Sequence, residues 1–139
     1  MDYQKLIKRI KENEGFSPKP YKDQLGFLTT GYGHLILQSE KHLIKKKITK
    51  EELKKIFNKD FTKAVKDYKK FLKQNASSIN EEELLIEMVF QMGVKKVLGF
   101  NNLLGNMRKK NNYLVCFEMM DSLWYKQTPN RVKKLIITF

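Results

Sequence analysis

Glu14 to His34 reads EGFSPKPYKDQLGFLTTGYGH, 21 residues holding two carboxylates, two adjacent threonines and four glycines. Short runs such as PYKD and FLTTGY, broken at Gly26, Gly31 and Gly33, cannot keep a helical period. They read as a small antiparallel hairpin or meander between Pro18 and Leu37, the only convincing β region of the chain. Glu14 closes the segment before it, Asp23 lies nine residues on, and Thr29 and Thr30 open a Gly-x-Gly-His turn. Such spacing suits a site better than a packing surface.

Outward from this stretch the pattern is helical. Tyr3, Leu6, Ile7 and Ile10 keep the i, i+3, i+4, i+7 spacing of one helix face, and Gly15 is a natural C-terminal cap. Gln38 to Lys47 is lysine-rich and weakly patterned. Thr49 and Glu52 form a capping box, followed by Leu53, Ile56, Phe57, Phe61, Ala64, Val65, Tyr68, Phe71 and Leu72 at helical spacing. A helix over 49–73 is long for a chain of 139 residues. It is expected to bridge two lobes with a cleft between them.

Beyond the polar break QNASSIN, Asn80 is expected to cap a helix with Glu83 at N3, and LLIEMVFQM is apolar on nearly all sides, as in the centre of a bundle. Gly93, Gly99 and Gly105 punctuate shorter helices carrying Val97, Leu98, Phe100, Leu103, Leu104 and Met107. These and Leu114 to Met120 read as core, with Met88, Met92, Met107, Met119 and Met120 as gap-fillers. Thr128 with Pro129 at N1 opens a last helix. The fold class is therefore α+β and predominantly helical. A single domain over 1–139 is expected, with an α/β lobe near 15–48 and a helical lobe of 74–139 plus helix 1–14.

Composition fits a packed globular chain: 41% hydrophobic, 12% aromatic and 31% charged. The lone Cys116 sits in an apolar run and forms no internal disulfide, which suits a reducing compartment. No export signal and no apolar stretch long enough to span a membrane is seen, so synthesis in the cytoplasm is expected. The net charge of +13 points to a polyanionic partner. Between Lys41 and Lys73, 13 lysines face four acids, so +9 of that charge is local. These lysines interleave with a helical core pattern rather than with exposed aromatics, and arginine is scarce, which disfavours specific nucleic-acid recognition.

Glu14 and Asp23 could serve as a general acid and a general base across a cleft, as glycoside hydrolysis requires. Among 15 acidic residues a pair of this kind is also an ordinary surface feature. Further pattern decides between the two. Glu14-Gly15, Tyr21-Lys22-Asp23 and Gly26-Phe27-Leu28-Thr29-Thr30-Gly31-Tyr32-Gly33-His34 together resemble the phage-type (T-even type) lysozyme family. The resemblance continues through ITKEELKKIFNKD, MVFQMG and WYKQTPNR to Thr138 and Phe139, covering nearly the whole chain.

The resemblance implies a lysozyme-like fold and a cofactor-free, monomeric muramidase cleaving the β-1,4 bond between N-acetylmuramic acid and N-acetylglucosamine. The substrate would be the glycan strands of peptidoglycan, and the enzyme would act on the bacterial wall after release. Glu14 takes the general-acid position, with Asp23 and Thr29 holding the attacking water on the opposite face, giving inversion. Leu35, Phe90 and Gln91 match positions lining the sugar cleft. Arg131 is implied to approach Glu14, and His34 to pair with Asp60 as scaffold. With His42 the only other histidine and one cysteine, no metal site assembles. Two rival readings are a non-enzymatic cationic envelope-binding, antimicrobial protein and a lytic transglycosylase on the same fold.

Overall fold

The computed structural model describes residues 3–22, 28–37, 40 and 48–139. Asp23, and Gln38 to Lys47 apart from Glu40, lie outside the described residues. Eight α-helices and one three-stranded antiparallel sheet are present among those described. The chain divides into two compact units, Met1–Lys63 and Ala64–Phe139.

In the first unit, α1 spans Gln4–Glu14 and buries Leu6 and Ile10, the i, i+4 pair of its apolar face. It stops at Gly15, whose N–H donates to the Lys11 carbonyl at 3.0 Å. Helix α1 falls within the first unit. Its Tyr3 ring meets Phe61 edge-on at 5.8 Å, and Lys11 Nζ sits over the rings of Tyr32 and Phe57.

Strands β1 (Ser17–Lys22), β2 (Leu28–Gly31) and β3 (His34–Leu35) follow in the order β1-β2-β3. Tyr21 pairs with Thr29 and Lys22 with Leu28, while Ser17 pairs with Gly31, so the register shifts within β1. Pro18 and Pro20 are tolerated there because β1 is an edge strand, where a missing N–H need not break a ladder. Thr30 pairs with His34 across the turn Gly31-Tyr32-Gly33.

Helix α2 spans Lys50–Phe71, about 33 Å at 1.5 Å per residue. Thr49 Oγ1 accepts from the Glu52 N–H at 3.2 Å, as the capping box requires. Leu53, Phe57, Phe61, Ala64 and Tyr68 are buried on one side, while Lys54, Lys55, Lys59, Lys63, Lys66, Lys69 and Lys70 are all exposed. The boundary between the two units falls inside this helix. No helix of the described residues is long and apolar enough to cross a membrane.

His34 ties β3 to α2. Its Nδ1 lies 2.6 Å from Asp60 Oδ2, and its Nε2 lies 2.9 Å from Glu40 Oε1, which also accepts from the Leu37 N–H at 3.1 Å. Burial pushes the imidazole toward its neutral form. The hydrogen bonds and charges of Asp60 and Glu40 outweigh that, and the pKa is raised. Burial likewise pushes Glu40 up, but His34, the Leu37 N–H and Lys59 together hold it below its ordinary value.

The second unit is helical. Helix α3 (Ile79–Met92) starts at Ser78, whose Oγ accepts from the Glu81 N–H at 3.2 Å. The Glu81 carboxylate accepts from the backbone N–H and the hydroxyl of Ser77 at 2.8 and 2.9 Å. The cap is therefore Ser78 with Glu81 at N3, not Asn80 with Glu83: both frames fit the sequence, and the one in which both side chains find backbone donors is adopted. Leu84, Leu85, Ile86, Glu87, Met88 and Val89 are all buried, as an all-round apolar helix requires.

The remaining helices are α4 (Val94–Leu98), α5 (Asn101–Arg108), α6 (Asn112–Met120), α7 (Leu123–Gln127) and α8 (Pro129–Thr138). Gly105 lies inside α5 and does not break it. Asn111 caps α6 and Ser122 caps α7 through their side chains. Val97, Leu103, Leu104, Met107, Val115, Met119, Trp124, Val132 and Leu135 form the buried set, but Leu98, Leu114, Phe117 and Met120, expected in the core, are exposed. Cys116 is half-buried, and burial raises its thiol pKa.

The caps predict that Ser78→Ala destabilises by about 1 kcal/mol in urea unfolding while Asn80→Ala changes little. The His34 contribution is fully present below the unfolded value of 6.5 and is lost as pH rises through the raised folded value. The Glu40 contribution is present above 4.5 and is lost as pH falls through its lowered value. The Tm difference between parent and His34→Asn should therefore be greatest between 4.5 and 6.5 and shrink above that window.

Candidate active site

Glu14 is the last residue of α1, and its carboxylate lies against the β2–β3 turn. Gly33 has a φ of +75°, and a Cβ added there would sit 2.8 Å from Glu14 Cδ and 3.3 Å from Cγ, with Oε2 nearer still. Only glycine permits both that conformation and that approach. The partner Gly31, at φ +61°, would bring a Cβ to 3.1 Å from Leu53 Cδ2. Between them Tyr32 is held by aromatic contacts to Phe16 at 5.0 Å and Phe57 at 5.4 Å. The turn is thus anchored on α1 and α2 and presses its backbone on one side of the Glu14 carboxyl.

Thr29 and Thr30, successive residues of β2, point to opposite faces of the sheet, and both are buried. Thr29 pairs in register with Tyr21 on one side and with Leu35 on the other. Thr30 Oγ1 finds no hydrogen-bond partner among the described residues. Leu35 is exposed on β3. Asp23 follows β1 directly and lies outside the described residues. The first unit therefore gathers Glu14 on Gly33, and His34, the next residue, on Asp60.

Phe90, Gln91 and Arg131 belong to the second unit, and Phe90 is partly buried. Gln91 Oε1 accepts from Trp124 Nε1 at 2.9 Å, and its Nε2 donates to Thr128 Oγ1 at 3.4 Å. The Thr128 hydroxyl donates in turn to the Trp124 carbonyl at 3.2 Å instead of capping α8. Arg131 Nε donates to Glu87 Oε2 at 3.2 Å, and Glu87 is fully buried. A buried carboxylate without a cation would be costly, so Glu87 needs Arg131 in place.

Three residues that sequence reasoning passed over therefore matter. Gly33 was readable as part of a turn but not as the floor under Glu14. Glu40 carried no local signal beyond lying six residues after His34. Glu87 had one, as the single acid inside LLIEMVFQM. A shallow depression lined by Gln4, Ile7, Lys8, Lys11 and Glu12 on α1 holds none of the candidate residues.

Chemically, a half-buried carboxyl sheltered on one side by backbone suits proton donation to a bound substrate. A threonine hydroxyl such as that of Thr29 can both donate to and accept from a water.

The phage lysozyme family model matches residues 11–137, a span that includes every candidate residue named above. The chain is 32% identical to the "Probable T4-type lysozyme 1" of Dictyostelium discoideum, over 91% of this chain and 88% of that protein. It is 29% identical to the "Probable T4-type lysozyme 2" of the same organism, over 94% and 90%. It is also 30% identical to the "Pre-baseplate central spike protein Gp5" of Enterobacteria phage T4, over 94% of this chain but 26% of that longer protein. A match of this extent, on a mostly helical chain with a small antiparallel sheet, is decisive: the chain belongs to the phage lysozyme family and is a glycosidase of the lysozyme type.

Proposed function

We propose that the enzyme is an inverting muramidase that hydrolyses the β-1,4 bond between N-acetylmuramic acid and N-acetylglucosamine in peptidoglycan, acting on the bacterial wall after release from the cytoplasm. The observation that carries this reading is the Glu14 carboxyl held against Gly33 at the end of α1. Glu14 donates its proton to the glycosidic oxygen as the bond from that oxygen to the anomeric carbon breaks. Water then attacks the oxocarbenium-like carbon from the opposite face and gives up its proton, with Asp23 and Thr29 orienting it and Asp23 supplying negative charge. No cofactor enters these steps. An inverting pair needs carboxyl groups about 6.5–9.5 Å apart, which leaves room for the water.

Leu35, Phe90 and Gln91 would contact the sugars, and the brace of Trp124 and Thr128 on Gln91 supports a fixed amide for that purpose. Arg131 is assigned a positioning role, as are His34 and Asp60, which hold the turn bearing Gly33. The exposed lysines of α2 supply a field that draws the enzyme to an anionic wall.

Glu14→Gln should lower the rate of clearing purified peptidoglycan by about 100-fold or more with little change in Tm. Clearing at the parental rate would remove Glu14 from the chemistry. Asp23→Asn should also lose most activity, and products from the parent in ¹⁸O-water should carry the label at the reducing end. Unlabelled anhydro-muramyl ends would indicate transglycosylase chemistry instead.

Gly33→Ala forces an L side chain into a left-handed conformation at a cost of about 1–2 kcal/mol and drives its Cβ into Glu14. Its kcat should fall far more than that stability loss explains at a temperature where the variant remains folded.

A further inference from the structure

Helix α6 is apolar on two opposite faces. Val115 and Met119 turn inward and are fully buried. Tyr113, Phe117 and Met120 lie within about 60° of one another on the other side, at the i, i+4, i+7 spacing of one stripe. They are 81%, 53% and 53% exposed, and none of the described elements covers them. Three large apolar side chains projecting from one helix form a ridge about 10 Å long, the kind of surface that marks an interaction site.

The surroundings of the ridge are cationic. Lys109 and Lys110 precede α6 directly, and α6 packs on α7 and α8, which carry exposed Lys126, Lys133 and Lys134. Leaving out Arg131, which is buried against Glu87, six basic residues between Arg108 and Phe139 stand against Glu118 and Asp121, a net +4. Of those two acids, Asp121 is exposed beyond the end of α6, and Glu118 lies on the helix about 140° round from Tyr113. Aromatic and thioether side chains that protrude from a helix whose neighbouring segments carry exposed lysines match a soft anionic interface into which they can insert. A protein partner would have to offer a groove of the same shape, and the glycan of the wall offers no apolar interior. We propose that the outward face of α6 docks on an anionic lipid surface, with Tyr113, Phe117 and Met120 entering the headgroup boundary and the lysines contacting the phosphates. This binding is independent of hydrolysis and would hold the enzyme at the membrane beside its substrate.

Co-sedimentation with vesicles of phosphatidylglycerol and phosphatidylethanolamine, against vesicles of phosphatidylcholine alone, tests the proposal. The parent should partition onto the anionic vesicles and little onto the neutral ones. The triple variant Tyr113→Ser, Phe117→Ser, Met120→Ser should lose about tenfold or more in partition, because the apolar burial is gone while the charge remains. Undiminished binding by a triple variant of parental helicity would mean that charge alone suffices and would overturn the proposal. So would equal affinity of the parent for both vesicles, absence of binding to either, or a parent that sediments as a dimer through this face. Should the triple variant fail to fold, Tyr113→Trp provides a second reading. Its added emission should shift to the blue on anionic vesicles and be quenched by brominated acyl chains, and an unshifted, unquenched signal would equally refute insertion.

Discussion

The contact on which the candidate site depends is the Glu14 carboxyl lying on the α-carbon of Gly33. It requires two chain reversals to arrive at one place. Helix α1 must end at Glu14, which the Gly15 cap ensures, and β2 must turn back within three residues, which the left-handed Gly31 and Gly33 allow. Neither reversal is held by its glycines alone. Tyr32, at the tip of the turn, is gripped by Phe16 and Phe57 and lies under the Lys11 ammonium. The same side chains that close the first unit thus set the position of the acid.

His34 extends that arrangement into α2. A histidine between two carboxylates is favoured in its charged form, and each carboxylate comes from a different part of the chain. The turn bearing Gly33 is consequently tied at both ends, through Tyr32 to aromatic packing and through His34 to ion pairing. Packing is insensitive to pH and the ion pair is not, so the two restraints fail under different conditions.

Electrostatics of two kinds coexist in the chain. Exposed lysines along α2 act at a distance, are screened by salt and contribute little to stability. The Arg131–Glu87 pair is buried, and its effect is specificity of packing: the buried run Leu84–Val89 of α3 seats its one carboxylate where a guanidinium meets it. That requirement sets α8 against α3 in the second unit, next to the Trp124–Gln91–Thr128 chain of hydrogen bonds.

Helix ends and strand positions were largely legible in the residues themselves, because caps and turns are local. Gly15, the Thr49–Glu52 box, Pro129 and the glycine-broken run after Gly26 each dictate backbone conformation without help from distant groups. The Ser78 start of α3 was misread as Asn80 because two capping frames overlap there, and the choice rested on Ser77 turning to meet Glu81. Likewise, apolar identity could not separate the buried Val115 and Met119 from the exposed Phe117 and Met120, since a helix apolar on all sides has no preferred inner face until neighbours cover one. The sequence by itself determined where the chain bends and which residue types could do acid chemistry. Only tertiary structure decided that Gly33 lies under Glu14, that Glu40 joins Asp60 on His34 and that Glu87 holds Arg131, because each is a contact between segments whose separation carries no local energetic signal.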